Sequence, residues 1–166
     1  MLSFLDDIKK LKKAILIAAD AFEMMTLLKV DIVVVNKKCR PHSWCDGNAC
    51  FDLRSGETTT LNPGERKIIP VGIKTSFPKY YEAQIRPRSG LSKKGIDVQL
   101  GTLDSSWRGV WAVNIENNSK EPFHIAEGDR IAQAGFRLIP EISWNEVNEL
   151  DETERNENGF GSSGVN

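Results

Sequence analysis

The sequence has few cysteines, almost no net charge and no long apolar run, and each of these features argues against a class of protein. The cysteines, Cys39, Cys45 and Cys50, are an odd number bunched in a short stretch, which does not suit a secreted disulfide framework. A reducing cytoplasm, or a host cytoplasm for a viral protein, is therefore the expected location. The apolar run at residues 14–19 is too short for a bilayer span or a secretory signal, so we expect no membrane partner.

A formal net charge of -1 argues against a nucleic-acid binder, because such proteins carry a clearly basic face. We therefore expect no nucleic-acid partner. The 166 residues suit one domain with its own core, and 40% hydrophobic with 27% charged residues is ordinary for a globular protein.

The first 28 residues predict an amphipathic helix, because apolar side chains recur at alternating spacings of four and three. Such a stripe is typical of a helix that packs on its own domain or on a neighbouring subunit. A three-stranded coiled coil and a helix that binds another protein are the alternatives, the latter implying a possible protein partner. The stripe comprises Phe4, Ile8, Leu11, Ile15, Ala18, Phe22 and Met25.

Residues 29–144 change to short β-type runs separated by turn residues, which predicts an all-β domain. Breakers such as Asn62-Pro63-Gly64 favour a sandwich, barrel or jelly roll over a parallel α/β sheet. Residues 145–166 predict an acidic, then glycine-rich C-terminal arm that is mobile until a ligand orders it. The predicted strands are 31–35, 66–75, 80–86, 110–116 and 130–138.

Two segments after predicted strands carry candidate chemistry. In Arg86-Pro87-Arg88-Ser89-Gly90-Leu91, guanidinium forks, a hydroxyl and a glycine suit phosphate binding, although a merely solvated basic turn is the alternative. In the second, Asp104 precedes Trp107 at a turn. A carboxylate beside a polyphosphate can orient a water and accept its proton, and an aromatic ring can pack on a sugar or base. A turn aspartate that bonds its own backbone is the alternative.

Two further segments are GDRIAQ, ending at Gln133, and the tail from Arg155 through GFGSSG. A glycine-rich tail can close over a nucleotide, with Phe160 stacking on the base and Arg155 meeting the terminal phosphate. A terminus without any role is the alternative.

Taken in order after Ala49-Cys50-Phe51-Asp52-Leu53, these segments resemble the five motifs of the trimeric dUTP pyrophosphatase (dUTPase) family over about residues 29–166. The resemblance rests on the conjunction of RSGL, a G-x-[VIL]-D element, GDRIAQ and an arginine four residues before GFGSSG. It implies a jelly-roll-like dUTPase barrel and a homotrimer with active sites shared between subunits. The implied reaction is magnesium-dependent hydrolysis of dUTP to dUMP and pyrophosphate.

The resemblance also implies a role for each matching residue. Asp104 would be the general base, and Asp52 would support Mg²⁺ indirectly, through water. A hairpin from about Gln99 to Leu103 would read uracil through its main chain, and the tail would come from a neighbouring subunit. The implied substrate-binding residues are Arg88, Ser89, Gly90, Gln99, Gly101, Thr102, Leu103, Trp107, Gln133, Arg155, Phe160, Gly161 and Ser162.

Departures from the family pattern concern the sugar. Trp107 replaces a tyrosine that packs on deoxyribose and blocks a 2′-hydroxyl, and Ser105-Ser106 replaces a commonly acidic pair. The dCTP deaminases share the fold, but they place a catalytic glutamate where this chain has Asn114, and an amide cannot transfer the proton. A regulatory nucleotide-binding protein is a rival of another class.

A zinc site is a further alternative near the first motif. Cys39, His42, Cys45 and Cys50 have metal-binding side chains, but their spacing matches no usual finger. We expect these cysteines to pack as ordinary side chains.

Overall fold

β-Strands dominate the computed structural model, which describes residues 6, 8–18, 27–41, 47–154 and 156–157. Residues 8–18 form helix α1, Lys37–Cys39 a 3-10 turn and Ser89–Ser92 the one-turn helix α2. The strands are β1 Asp31–Val34, β2 Phe51–Arg54, β3 Thr59–Leu61, β4 Arg66–Pro70, β5 Ile73–Ser76, β6 Tyr81–Arg86, β7 Ile96–Val98, β8 Gly101–Asp104, β9 Ala112–Asn117, β10 Phe123–Ile125 and β11 Arg130–Leu138.

Every strand pair is antiparallel within the described residues. The strands fall into four sheets, ordered β2-β11-β6-β8, β4-β9-β7, β1-β5 and β3-β10, rather than into one closed barrel. This arrangement confirms the predicted all-β, jelly-roll-like fold class.

Alternating burial explains how these sheets share one core. In β9, Val113, Ile115 and Asn117 are buried while the residues between them are partly exposed, as expected when successive side chains point to opposite faces. The largest core side chain is Trp111, whose indole Nε1 donates to Thr75 Oγ1 at 3.1 Å. Its hydrogen bond satisfies the one polar atom that the indole brings into the core.

The single strand predicted at residues 66–75 is interrupted in the structure. It is two strands, β4 and β5, separated by Val71 and Gly72. Gly72 has a φ of +61°, and a Cβ atom built on it would lie 2.8 Å from Asn36 Cβ and 2.9 Å from Cys39 Cβ. The chain turns there because the 3-10 turn packs against a residue that has no side chain.

Helix α1 leaves its apolar stripe uncovered in the described part of the chain. Leu11 is 62% exposed and Ile15 59%, so the stripe does not pack on the chain's own domain. Leu27 and Leu28 are not helical, and residues 19–26 lie outside the described residues, so the extent of the predicted helix up to about residue 28 stays a prediction. Phe4, Phe22 and Met25 lie outside the described residues. No described helix is long and apolar enough to cross a bilayer.

Candidate active site

The segment Arg88-Ser89-Gly90 forms the rim of a polar cavity of about 520 Å³. Strand β6 ends at Arg86, and Arg88 caps the helix α2 that Ser89 begins. The first N–H groups of a helix have no intrahelical acceptor and can donate to a phosphate. The cavity is lined by Asn48, Ala49, Cys50, Asp52, Arg86, Arg88, Ser89, Gly90, Arg130 and Gln133. We call this set the cradle.

Asp52 organises the cations of the cradle. Arg88 Nε donates to its Oδ1 at 2.9 Å, and Arg130 Nη1 donates to its Oδ2 at 3.2 Å. Arg88 Nη1 also donates to the carbonyl of Arg130 at 2.9 Å. The buried carboxylate therefore holds both guanidinium groups at the wall of the cavity, where an anion would meet them.

Gln133 occupies the centre of the same sheet. In the strand register it is opposite Asp52 on one side and Arg86 on the other. Its Nε2 donates to the Pro87 carbonyl at 2.8 Å, which ties β11 to the turn that leads into α2. The structure thus brings together five of the residues expected at the phosphates and the metal: Asp52, Arg88, Ser89, Gly90 and Gln133.

The segment from Gln99 to Leu103 is not the predicted hairpin. Strand β7 pairs with β9, whereas β8 pairs with β6, so the chain passes from one sheet to another at Gln99 and Leu100. The Gln99 N–H donates to the Asn114 carbonyl at 2.9 Å, and Leu100 is 67% exposed. The segment is a corner between sheets whose main chain is open on one side.

Asp104 is an exposed carboxylate at the end of β8. The N–H of Trp107 donates to its carbonyl at 3.1 Å, which closes the turn that follows. Trp107 is 42% exposed, so part of its side chain is accessible to solvent. The turn therefore holds the main chains of Asp104 and Trp107 close together at the end of β8.

The cradle and Asp104 lie at opposite ends of one sheet. Asp104 is opposite Glu82, whereas Gln133 is opposite Arg86, four residues along β6. With a rise of about 3.3 Å per residue and strands about 4.8 Å apart, Asp104 and Gln133 are separated by roughly 16 Å. A single chain therefore does not place this carboxylate at its own cradle.

The tail residues with predicted roles cannot be placed relative to the cradle. Arg155, Phe160, Gly161 and Ser162 are outside the described residues, so their predicted roles stay predictions. Residues 139–154 carry no helix or strand and are exposed throughout. Among their apolar side chains, Trp144 is 90% exposed.

Comparison with known proteins shows the family to which the chain belongs. The dUTPase family model matches residues 29–164. A deoxyuridine 5'-triphosphate nucleotidohydrolase of Monkeypox virus is 42% identical over 130 residues, covering 78% of this chain and 86% of the relative. The chain belongs to the dUTPase family.

Two further similarities extend this finding. The nucleotidohydrolase of Wolbachia pipientis subsp. Culex pipiens (strain wPip) is 50% identical over 113 residues, covering 65% of this chain and 74% of the relative. A dUTPase structure from Staphylococcus bacteriophage 80alpha with dUpNHpp has a TM-score of 0.76 and 27% identity, covering 82% of this chain and 99% of that chain. Both the sequence and the fold therefore resemble dUTPases.

The cradle includes one arginine to which the motif comparison assigned no role. Arg130 lies within GDRIAQ, but only Gln133 was expected to bind. A second guanidinium beside Arg88 becomes evident only when β2 and β11 pair, because that pairing brings Asp52 next to Arg130. The signal in the sequence that could have identified Arg130 is its position in the same motif as Gln133, a predicted phosphate ligand.

The alternative zinc site finds no support in the described residues. No group of three or more His, Cys, Asp or Glu side chains is close enough there to hold a metal ion. Cys39 is buried and its thiol contacts the Ser55 carbonyl at 3.2 Å, and burial raises its pKa, with a smaller contribution from the Glu127 carboxylate. His42 and Cys45 lie outside the described residues.

Proposed function

We propose that this dUTPase hydrolyses dUTP to dUMP and pyrophosphate by attack of water on the α-phosphorus. The observation that carries the proposal is the cradle, in which Asp52 holds Arg88 and Arg130 at the wall of a polar cavity next to Ser89 and Gly90. This reaction removes dUTP, which limits uracil in DNA, and it supplies dUMP for thymidylate synthesis.

Each part of the site has a distinct chemical task in this proposal. The guanidinium groups and the first N–H groups of α2 bind the phosphates and stabilise the charge that builds on the leaving pyrophosphate. Asp104 orients the attacking water and takes its proton. The main chain at Gly101, Thr102 and Leu103 reads the uracil.

The separation of Asp104 from the cradle supports an active site built from several chains. In a symmetric homotrimer, the cradle of one subunit would meet Asp104 of a second, and the tail with Arg155 and Phe160 would come from a third. Such an arrangement makes the isolated subunit inactive. It also gives a use to the exposed residues 139–154, which connect the sheet to that tail.

The donor set of the chain fits a Mg²⁺ ion that arrives with the nucleotide. Both oxygens of Asp52 already accept from arginines, and the described residues contain no ready cluster of ligands. Mg²⁺ prefers octahedral oxygen ligands and keeps several waters, so phosphate oxygens and water can complete its shell, with Asp52 acting through water. When bound, the ion neutralises charge on the triphosphate.

Deamination is disfavoured by the residues at and beside the deciding position. Asn114 carries an amide, and its Oδ1 is buried with no partner in the described residues. Glu116, the nearest glutamate on the strand, is paired with Arg66 through a 2.6 Å contact to Nη2. The Asn114 amide cannot exchange the proton that replacement of an amine by water requires, and the Glu116 carboxylate is held in its ion pair with Arg66.

A single assay tests the proposal. Pyrophosphate and ammonia release are measured in parallel from dUTP, dCTP, dTTP and UTP with Mg²⁺. We expect pyrophosphate from dUTP and no ammonia from dCTP. Ammonia release from dCTP would contradict the proposal, as would a lack of turnover of dUTP.

The exposed apolar stripe of α1 favours a second role for this helix alone, namely contact with another subunit or another protein. Removal of residues 1–28 tests it. Normal dUTP turnover with an altered oligomeric state or altered partner binding would assign the helix to interaction and the rest of the chain to catalysis. Loss of turnover on this deletion would instead tie the helix to the enzyme.

A further inference from the structure

The indole of Trp107 lies directly on the Cα atom of Gly109. A Cβ atom built on Gly109 would be 2.3 Å from Cζ2, 2.6 Å from Cε2 and 3.0 Å from Nε1 of the indole. Carbon atoms in favourable contact are about 3.5–4.0 Å apart, so even one methyl group at this position is incompatible with the observed ring. Any larger residue at 109 would displace the indole by about 1 Å or more.

Backbone geometry does not explain the glycine. Gly109 is absent from the glycines with positive φ, which are Gly47, Gly64, Gly72, Gly95 and Gly128. An alanine can therefore adopt its backbone conformation without strain. Glycine is required at this position because it has no side chain, and the indole of Trp107 occupies the space that a side chain would fill.

The turn that carries the indole is braced on its other side. Arg108 Nη1 donates to the Ser105 carbonyl at 2.6 Å and to the Trp107 carbonyl at 2.8 Å. Together with the bond from the Trp107 N–H to the Asp104 carbonyl, these contacts fix the main chain of the turn relative to the end of β8. The indole itself lies against Gly109.

We propose that Gly109 is the positioning residue that seats Trp107 and thereby sets how strictly this enzyme rejects ribonucleotides. This inference rests on the proposed function, because it assigns the ring to the sugar of the nucleotide. A tryptophan is larger than the tyrosine that the family pattern has at this position. The indole is accommodated because Gly109 has no side chain, and in this proposal the ring then blocks a 2′-hydroxyl while leaving room for deoxyribose.

The experiment compares kcat/KM for dUTP and UTP in the full chain with Mg²⁺, for wild type, Gly109→Ala, Trp107→Ala and the double variant. Misplacement of a positioning group by about 1 Å costs on the order of tenfold or more, so Gly109→Ala should lower the dUTP/UTP ratio about tenfold. In the Trp107→Ala background, the same substitution should change the ratio less than about twofold, because no ring remains to be displaced.

Two outcomes would overturn the inference: a ratio that Gly109→Ala leaves unchanged, or an equal fall in both backgrounds. Thermal unfolding identifies a variant that fails to fold. If Gly109→Ala does not fold, Trp107→Phe is tested in its place. A phenyl ring lacks the second ring of the indole and therefore loses the contact with Gly109. A ratio equal to wild type in this variant would also overturn the inference.

A readout without catalysis separates this inference from the proposed function. Gly109→Ala should change the near-ultraviolet circular dichroism of the tryptophans, and this change should vanish in the Trp107→Ala background. A wild-type enzyme that releases no pyrophosphate from dUTP would refute the proposed function instead, whatever the spectra show. Identical spectra for wild type and Gly109→Ala would show that Gly109 does not determine the position of the Trp107 indole.

Discussion

Asp52 Oδ1 accepts from Arg88 Nε at 2.9 Å, although 36 positions separate the two residues in the chain. The Asp52 side chain is 11% exposed and the Arg88 side chain 26%, so the pair is shielded from water on one side and open to the cavity on the other. The pair connects the core of the fold to the wall of the cradle. Asp52 fixes the direction of the guanidinium, and the cavity determines what that guanidinium meets.

Asp52→Asn is therefore expected to weaken dUTP binding through the arginines. Replacing the carboxylate by an amide removes one charge from two ion pairs, which should cost about 1–3 kcal/mol of stability and raise KM about tenfold. The increase in KM should persist at saturating Mg²⁺, because the arginines remain unanchored. Steady-state kinetics over a range of Mg²⁺ concentrations measures this.

Glu116→Gln is the matched control, because it breaks another carboxylate–arginine pair, with Arg66, outside the cradle. It should leave KM unchanged. Full recovery of Asp52→Asn at high Mg²⁺ would show that the aspartate acts through the metal alone.

Asp104→Asn is expected to abolish turnover and keep nucleotide binding. The amide retains the size of the side chain but cannot accept the proton of water, so kcat should fall about 10²- to 10⁴-fold. Pyrophosphate release measures kcat, and titration calorimetry with dUpNHpp measures binding. Asp97→Asn is the control, because an amide oxygen can still accept from Asn118 Nδ2 there, and it should keep wild-type turnover. Wild-type turnover by Asp104→Asn would remove the carboxylate from the mechanism.

Two inactive variants are expected to restore activity when they assemble together. Arg88→Ala damages the cradle and Asp104→Asn removes the base, and the two positions lie at opposite ends of one sheet. If each site takes its cradle from one subunit and its base from another, random mixing makes about one quarter of the sites intact. The measurement is dUTP turnover after the two variants are unfolded and refolded together.

Each variant refolded alone provides the baseline for that mixture. A mixture that stays as inactive as its components would place the cradle and the base in the same chain. Recovery near one quarter of wild-type turnover would show that they come from different chains.

Local patterns and the family resemblance together predicted the fold class and half of the ten cradle residues, but not the relations between distant strands. Strand β11 was predicted with its bounds unchanged because its nine residues form one unbroken β-type run. The break at Gly72 was missed because it depends on a contact with Asn36 and Cys39 that no local pattern carries. The predicted Gln99–Leu103 hairpin failed for a similar reason, since the two strands pair with different partners.

Site geometry was harder to predict than site composition. Arg130 joins Arg88 only through Asp52, and the distance from Asp104 to the cradle is set by the register of β6 with its two neighbours. Register is determined by which face of each strand is buried, and this is a property of the assembled sheets. The motifs therefore identify the residues, and the sheets determine which of them one chain can bring together.

The final prediction concerns the ion pair that ties the 3-10 turn to the β10–β11 turn. Lys38 Nζ and Asn36 Nδ2 both donate to the Glu127 carboxylate. The hydrogen bond with Lys38, followed by that with Asn36, lowers the pKa of Glu127, and the bond with Glu127 raises the pKa of Lys38. A carboxyl group whose pKa is lowered by folding stabilises the folded state at pH values above its pKa in the unfolded chain. This stabilisation is lost as the pH falls through its pKa in the folded chain.

Glu127→Gln should therefore lower the midpoint of urea unfolding slightly at neutral pH, with the difference from wild type shrinking as the pH falls below about 4. The raised pKa of Lys38 keeps the pair intact below about pH 10.4, so the difference should stay constant between these limits. Glu121→Gln is the control, since the Glu121 carboxylate makes no ion pair within the described residues, and its unfolding midpoint at neutral pH should equal that of wild type. A deficit of Glu127→Gln that is as large at pH 3 as at pH 7 would show that the glutamate acts by packing rather than by charge.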